Sequence, residues 1–383
     1  MEFDASKFRL IVVKAGTNVL TDENGVLDYH AMERITDGIS ALCKQGKSVV
    51  LVTSGAIASG MARLGMKDRP KEISVQQACA AVGQAALMNA YDQLFSKHGI
   101  LTAQVLLTND DFVIKERYLD TMRTLQELLR AKAVPVINEN DVVSHRELSK
   151  SENRQAVFDD NDELSALVAS KMRASLLILL TDVDGLYDSN PKKNHGSSLI
   201  RRVDEIGPQM ELVAAGKPSA SGRGGMKTKL SAAKMATASG VWVAMANGKK
   251  AGIIASVLAQ KEGTLFYPAK TSLSGKEQWI VFASRISGSI QVNARACEAI
   301  LEKGASLLAV GVISASGKFE RGEVVDIVCG AKSVARGKIN YSSAELSSIA
   351  GKKSEEIRKL LGRSDEVIER EYLVLLGKGE DDG

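Results

Sequence analysis

Aromatic residues make up only 4% of the 383 positions, so the core has to be built from Ala, Val, Leu and Ile. Such a core suits helices packed on a parallel sheet better than an all-β sandwich. Cysteine is scarce. Cys43, Cys79, Cys297 and Cys329 lie far apart with no Cys-x-x-Cys pair, which argues against structural zinc, and a chain this long needs no disulfide framework. His30, His98, His145 and His195 are isolated, so no histidine cluster exists, and a Ser–His–Asp hydrolase has nothing behind it except Ser54. No apolar run approaches the roughly 18–20 residues of a membrane helix. The first one, Leu10 to Val13, is too short for a signal peptide. A reducing cytoplasm is the expected location, with no membrane partner. Charge of one sign is also lacking: a net +4 neither demands nor excludes a polyanionic partner. The remainder is ordinary for a globular chain, 44% apolar and 25% charged, of a length that predicts two domains.

Along the first two-thirds, apolar runs alternate with helical spacings. Phe8 to Val13 reads as a buried strand that ends in Lys14-Ala15-Gly16-Thr17. Met32, Ile35, Ile39 and Leu42 mark a helix, stopped near Gly46. Ser48 to Thr53 is a second strand, followed by Ser54-Gly55-Ala56. A long helix over about 74–97 carries Leu87, Tyr91 and Leu94 on one face, and Leu101 to Leu107 is a strand. Leu119, Met122, Leu125 and Leu129 mark a helix before the short strand Val134 to Ile137, with Asn138 to Asp141 expected beyond its end. A helix through Leu164, Leu167 and Val168, strands over Leu176 to Leu180 and Val241 to Ala246, and a helix beginning near Met226 continue the series. Repeated strand–helix units predict an α/β domain over 1–268, its mainly parallel sheet sandwiched by helices. After the linker-like Pro268 to Lys276, short β-like runs (Trp279 to Phe282, Leu307 to Val312, Val324 to Val328) surround one helix, Ala294 to Lys303. They predict a small β-rich domain over 277–377.

In an open parallel sheet, ligands bind beyond the carboxyl ends of the strands. Those positions hold Lys14, Ser54, Asn138 to Asp141 and Thr181-Asp182, although a solvated strand end would also be polar. Lys14, followed by Gly16 and Thr17, offers a fixed cation beside free backbone N–H groups, a combination that suits a phosphate. The spacing matches neither the dinucleotide fingerprint nor the Walker loop, so a Rossmann dehydrogenase and a Walker-type ATPase are unsupported. A second phosphate candidate is Gly222-Arg223-Gly224-Gly225-Met226-Lys227-Thr228-Lys229, where glycines precede a helix N-terminus. Asp159-Asp160-Asn161-Asp162 exceeds what capping one helix requires, and it can position a lysine, a substrate amine or a metal-bound phosphate.

Five segments, Val12 to Thr17, Val52 to Ile57, Val136 to Asp141, Asp160-Asn161-Asp162 and Gly224-Gly225-Met226, resemble the amino acid kinase family in order along about residues 8–267. The tail, through Gly304-Ala305-Ser306-Leu307-Leu308 and Arg321-Gly322-Glu323-Val324, resembles a PUA domain. The resemblance implies the amino acid kinase fold and ATP-dependent phosphorylation of the side-chain carboxylate of L-glutamate, the first step of proline biosynthesis. It implies ATP and Mg2+ as cofactors, the magnesium held mainly by ATP phosphates rather than by protein ligands. By motif, Lys14, Lys229 and Asp162 would be catalytic, and Ser54, Asp141 and Asn161 would bind glutamate. Lys14, Gly16, Thr181, Asp182, Arg223, Gly224, Gly225, Met226, Lys227, Thr228 and Lys229 would bind ATP. A homo-oligomer, dimer or tetramer, and proline as a feedback inhibitor are implied as well. Arg223, Lys227 and Asp159 depart from the residues usual in the family. Kinases of the same fold acting on acetylglutamate, aspartate, carbamate or uridylate are the nearest alternatives. An RNA-binding protein is the alternative of another class. With 15 Lys/Arg against 15 Asp/Glu over 278–383, RNA binding by the tail is unsupported.

Overall fold

A computed structural model describes residues 2–22, 24–143, 160–189, 194, 196–207, 209–211, 225–269, 277, 280–281, 286–363 and 365–376. Arg223 and Gly224 of the glycine-rich segment, and Asp159, lie outside the described residues, as does most of the Pro268 to Lys276 stretch. The chain divides into two compact units, one over residues 1–144 and 158–272 and one extending from Leu273.

The first unit begins with β1 (Leu10–Ala15), α1 (Thr17–Leu20), α2 (Tyr29–Lys44), β2 (Ser48–Val52), α3 (Ala56–Arg63) and α4 (Ile73–Ser96). It continues through β3 (Thr102–Leu107), α5 (Asp110–Val113), α6 (Lys115–Arg130), β4 (Val134–Glu139), α7 (Asn161–Lys171), β5 (Leu176–Thr181) and β6 (Arg202–Val203). It closes with α8 (Met226–Ala238), β7 (Trp242–Asn247), α9 (Ile253–Leu258) and β8 (Thr264–Phe266). Among the described residues the strands form one sheet in the order β3-β4-β2-β1-β5-β7-β8-β6. Every pair is parallel except β7–β8. β1 therefore sits mid-sheet, with β2 and β5 on either side, and the chain departs from it in both directions. That places its carboxyl end at the switch point where α/β sheets bind ligands.

Local chemistry accounts for the helices. Asp28 starts α2 by accepting from the Ala31 N–H, and the stripe Met32, Ile35, Ile39 and Leu42 is buried, as its spacing predicts. α4 buries Leu87, Tyr91 and Leu94. β4 runs two residues further than its apolar stretch. Asn138 and Glu139 are its last residues, paired with Leu106 and Leu107 of β3. They are tolerated inside a strand because Asn138 finds buried hydrogen-bond partners.

The second unit contains β9 (Ile286–Val292), α10 (Ala294–Lys303), β10 (Val312–Gly317), β11 (Val324–Cys329), β12 (Lys332–Lys338), α11 (Ser343–Ile349), α12 (Ser354–Leu361) and β13 (Leu373–Leu375). Its sheet, ordered β10-β9-β11-β12-β13, encloses a separate core around Ile290, Phe319, Ile327, Ile339 and Tyr341. Two strand expectations need correction. Within Leu307 to Val312, only Leu307 makes an isolated bridge, Ala309–Gly311 is a 3-10 turn, and the strand starts at Val312. Ile280 and Val281 of the Trp279 to Phe282 run are helical. Although a chain this long needs no disulfide framework, Cys297 and Cys329 form a disulfide that ties α10 to the end of β11 across a sequence separation of 32. No Cys-x-x-Cys motif announces it, because β9 and β11 are neighbours only in the folded sheet. Closing a loop of that size removes unfolded-chain entropy worth about 3–4 kcal/mol on the chain-entropy model. Among the described residues, no helix is long and apolar enough to cross a membrane.

Candidate active site

Lys14 is the fifth residue of β1, so the strand that buries its flanking residues also fixes the start of its side chain. Its exposure is 5%. Asp162 lies in the first turn of α7 and is 0% exposed. Lys229 lies in the first turn of α8. The three converge: Lys14 Nζ is 2.6 Å from Asp162 Oδ1, and Lys229 Nζ is 3.0 Å from Asp162 Oδ2. Thr228 donates its hydroxyl to the same Oδ2 at 3.1 Å. Burial opposes ionisation of Asp162, but the charges and hydrogen bonds of the two lysines outweigh it and hold the carboxyl group well below the usual carboxylate range. For Lys229, burial lowers the ammonium pKa, yet the charge of Asp162 wins and the net shift is upward. One carboxylate thus pairs with two lysines, and the trio carries a formal charge of one positive for an anionic ligand.

The preceding residue of the acidic run has a different task. Asp160 caps α7, its Oδ1 accepting from the N–H groups of Asp162 and Glu163. Burial, then the adjacent Asp162 charge, pushes its carboxyl pKa up. Gly16 explains how the ammonium of Lys14 fits beneath the chain: a Cβ there would stand 3.1 Å from Lys14 Nζ.

Next to this trio lies a network of uncharged side chains. Asn161 Nδ2 donates to Ser54 Oγ and to Asn138 Oδ1, both at 3.0 Å. Asn138 Nδ2 donates to Gln84 Oε1 of α4 at 2.9 Å. Asp141 is half-buried in the turn directly after β4. The other polar groups lie at the ends of β5 and β7. Thr181 donates to Asp182 Oδ1 at 3.2 Å, Asn18 of α1 donates to Asp182 Oδ2 at 3.3 Å, and Asn247 donates to Asp184 Oδ1 at 2.9 Å. Burial opposes ionisation of Asp182, but backbone, Asn18 and Thr181 hydrogen bonds lower its pKa, helped by the charge of Lys229. Gly225 N-caps α8, and Met226 to Lys229 form its first turn, with Lys227 exposed.

Lys14, Thr228 and Lys229 are therefore linked through Asp162, Ser54 and Asn138 through Asn161, the two sets adjoin at consecutive residues of α7, and Thr181 and Asp182 are joined to each other. Gln84, Asn18 and Asn247 do not follow from strand-end reasoning. For Gln84 a signal exists: it lies at helical spacing from Ala80, Leu87 and Tyr91, all buried, so an amide stands where the periodicity calls for an apolar residue. The described residues contain no group of three His, Cys, Asp or Glu side chains able to hold a metal ion.

Comparison with known proteins gives the same architecture by a separate route. Residues 9–246 match the amino acid kinase family, and residues 288–361 match the PUA domain. Glutamate 5-kinase of Trichlorobacter lovleyi is 46% identical over 373 residues, covering 96% of this chain and 97% of its own length. Glutamate 5-kinase of Moorella thermoacetica is 43% identical over 376 residues, covering 97% of each chain. That of Geobacter sulfurreducens is 42% identical over 376 residues, covering 97% of this chain and 98% of its own.

Proposed function

The chain belongs to the amino acid kinase family, and from that premise we propose that it transfers the γ-phosphoryl group of ATP to the side-chain carboxylate of L-glutamate, giving L-glutamyl 5-phosphate for proline biosynthesis. The activity is the one by which its full-length relatives are named. The observation that carries the reading is the Lys14–Asp162–Lys229 trio at 2.6 and 3.0 Å, next to the neutral Ser54–Asn161–Asn138 network.

The acceptor is already an anion at neutral pH, so the reaction needs no strong base. The difficulty is to bring a carboxylate up to a triphosphate and to spread charge over the group in transfer. Positioning and electrostatics supply most of the catalysis in phosphoryl transfer. Lys14 and Lys229 reach the phosphates from two different elements, β1 and α8, and Asp162 stops either ammonium from turning away. Ser54, Asn161 and Asp141 hold the amino-acid end of glutamate. Thr181, Asp182 and the first turn of α8 hold the nucleotide. The substrate is MgATP. Its magnesium would be held mainly by the ATP phosphates, where it would neutralise charge.

The test is ADP release against a panel of acidic amino acids, with glutamate expected to be the preferred acceptor. Lys14→Ala and Lys229→Ala should each lower kcat by at least ~10²-fold, the scale of one lost transition-state contact. Near-normal turnover of a folded Lys14→Ala variant rejects the role of that lysine, and a preference for another acceptor rejects the substrate.

A further inference from the structure

Gln84 is a buried amide, 8% exposed, in the middle of α4. Its Oε1 accepts from Asn138 Nδ2 at 2.9 Å. Its Nε2 is buried without a partner among the described residues. A side chain that leaves a buried donor unmatched at a core position is poor packing chemistry, so its acceptor oxygen needs a reason to be there. The hydrogen bonds give one. Because the amino end of Asn138 faces Gln84, its carbonyl end faces the other way, where it accepts from the Glu139 N–H at 2.9 Å and from Asn161 Nδ2 at 3.0 Å. Asn161 in turn must present its amino end to Asn138 and Ser54, which leaves Asn161 Oδ1 buried and without a partner. Ser54 Oγ has accepted one hydrogen bond and keeps its own hydrogen to donate.

We propose that Gln84 is a positioning residue that sets the direction of this amide relay, so that the acceptor pocket offers one free carbonyl oxygen, on Asn161, and one free hydroxyl donor, on Ser54. The inference rests on the glutamate reading. The free pair matches the two ends of an α-amino acid: an ammonium needs the carbonyl acceptor, and a carboxylate needs the hydroxyl donor. Glutarate has the same two carboxylates and no ammonium, so it gains nothing from Asn161 Oδ1. Selectivity between the two acceptors therefore reports the direction of the relay, whereas loss of general packing lowers turnover of both alike.

The experiment uses the full chain, with Gln84→Leu, which removes the acceptor at similar size, and Gln84→Glu, which keeps an oxygen facing Asn138. Steady-state kinetics are measured for glutamate, glutarate and MgATP, with thermal unfolding alongside. For Gln84→Leu, the glutamate KM is expected to rise ~10-fold, the MgATP KM to stay within ~2-fold, and the preference for glutamate over glutarate to shrink ~10-fold, the scale of one mispaired buried donor. Gln84→Glu is expected to recover most of that preference. Should Gln84→Leu fail to fold, Gln84→Met supplies the same comparison with an unbranched side chain. An unchanged glutamate KM and preference in the leucine or methionine variant overturns the relay while the wild type still uses glutamate. Equal losses toward glutamate, glutarate and MgATP in all variants overturn it in favour of a packing role. A wild type with no glutamate-dependent ADP release overturns the underlying reading, and this inference with it.

Discussion

Asp162 carries two jobs that a single substitution removes together. In Asp162→Asn the side chain keeps its size, but the ammonium groups of Lys14 and Lys229 lose their counter-charge. Removing one partner of a buried ion pair costs about 3–5 kcal/mol, and the lysines no longer converge on one point, so turnover should fall by at least ~10²-fold. The pH dependence has a definite sign. The folded-state pKa of Asp162 is depressed, so its contribution is fully present above the unfolded aspartate value near ~3.9 and is lost only as pH falls further toward the folded one. Lys229 is raised, so its share is present below the unfolded lysine value near ~10.4 and is lost only in stronger alkali. Urea unfolding of wild type and Asp162→Asn should therefore show a stability gap that persists from neutral pH down to about pH 4 and shrinks below it. A gap already closed at pH 5 contradicts the ion-pair account. Lys14 and Asp162 were legible from sequence because each stands at an element boundary, where chemistry shows as a break in apolar pattern. Gln84 hides inside an element among alanines and needs its neighbour across space, Asn138, to declare itself.

Helices α3 and α4 meet more closely than any side chain permits. A Cβ on Gly83 would lie 1.8 Å from the Ala56 carbonyl oxygen and 2.4 Å from the Gly60 nitrogen, and a Cβ on Gly60 would lie 1.8 Å from the Cys79 oxygen. These are backbone atoms and cannot swing aside. Gly83→Ala must push α4 from α3, and the two ends of that displacement are known: α3 starts directly after Ser54-Gly55, and Gln84 is the next residue of α4. The expected outcome is a loss of about 1–3 kcal/mol in unfolding free energy from overpacking, with the glutamate KM raised more than the MgATP KM. Unchanged thermal unfolding and kinetics in Gly83→Ala refute the close approach. The strands and helices themselves read well from sequence where periodicity is strong: α2, α4, β2, β5 and α10 fall where their apolar spacing puts them, while β1 lies two residues downstream of Phe8 to Val13 and takes in Lys14. What periodicity could not supply were contacts between distant segments. β8 is three residues long, too short to carry a pattern, and pairs antiparallel to β7 because the chain folds back there. The Cys297–Cys329 bond depends on the pairing of β9 with β11, and β4 gains Asn138 and Glu139 only because β3 continues beside it.

At the scale of the molecule, we propose that the kinase chemistry belongs to residues 1–268 alone and that residues 277–377 form a separate domain. Each described residue of the proposed phosphate and glutamate sites precedes position 268. The core around Ile11, Val13, Leu51, Tyr91, Ile178 and Trp242 draws on the first unit only. The core around Ile290, Phe319, Ile327 and Tyr341 draws on the second only, as does the disulfide. Segments with separate apolar cores are able to fold separately. A cut after residue 268 also preserves β8, whose Phe266 is fully buried, and Tyr267, which packs on Trp242 at a ring separation of 4.6 Å. A fragment of residues 1–268 should accordingly be soluble, unfold in one cooperative transition and release ADP in a glutamate-dependent manner. Its Michaelis constants should lie near those of the full chain, because no proposed contact to either substrate is removed. The informative contrary result is a fragment that is soluble and unfolds cooperatively yet transfers no phosphoryl group. Such a fragment would assign part of the active site to the C-terminal unit, and the proposed set of lysines, Asp162 and amides would be incomplete rather than misplaced. A fragment that aggregates, with activity restored when residues 277–377 are added as a second chain, would instead mean that the second unit covers apolar surface of the first.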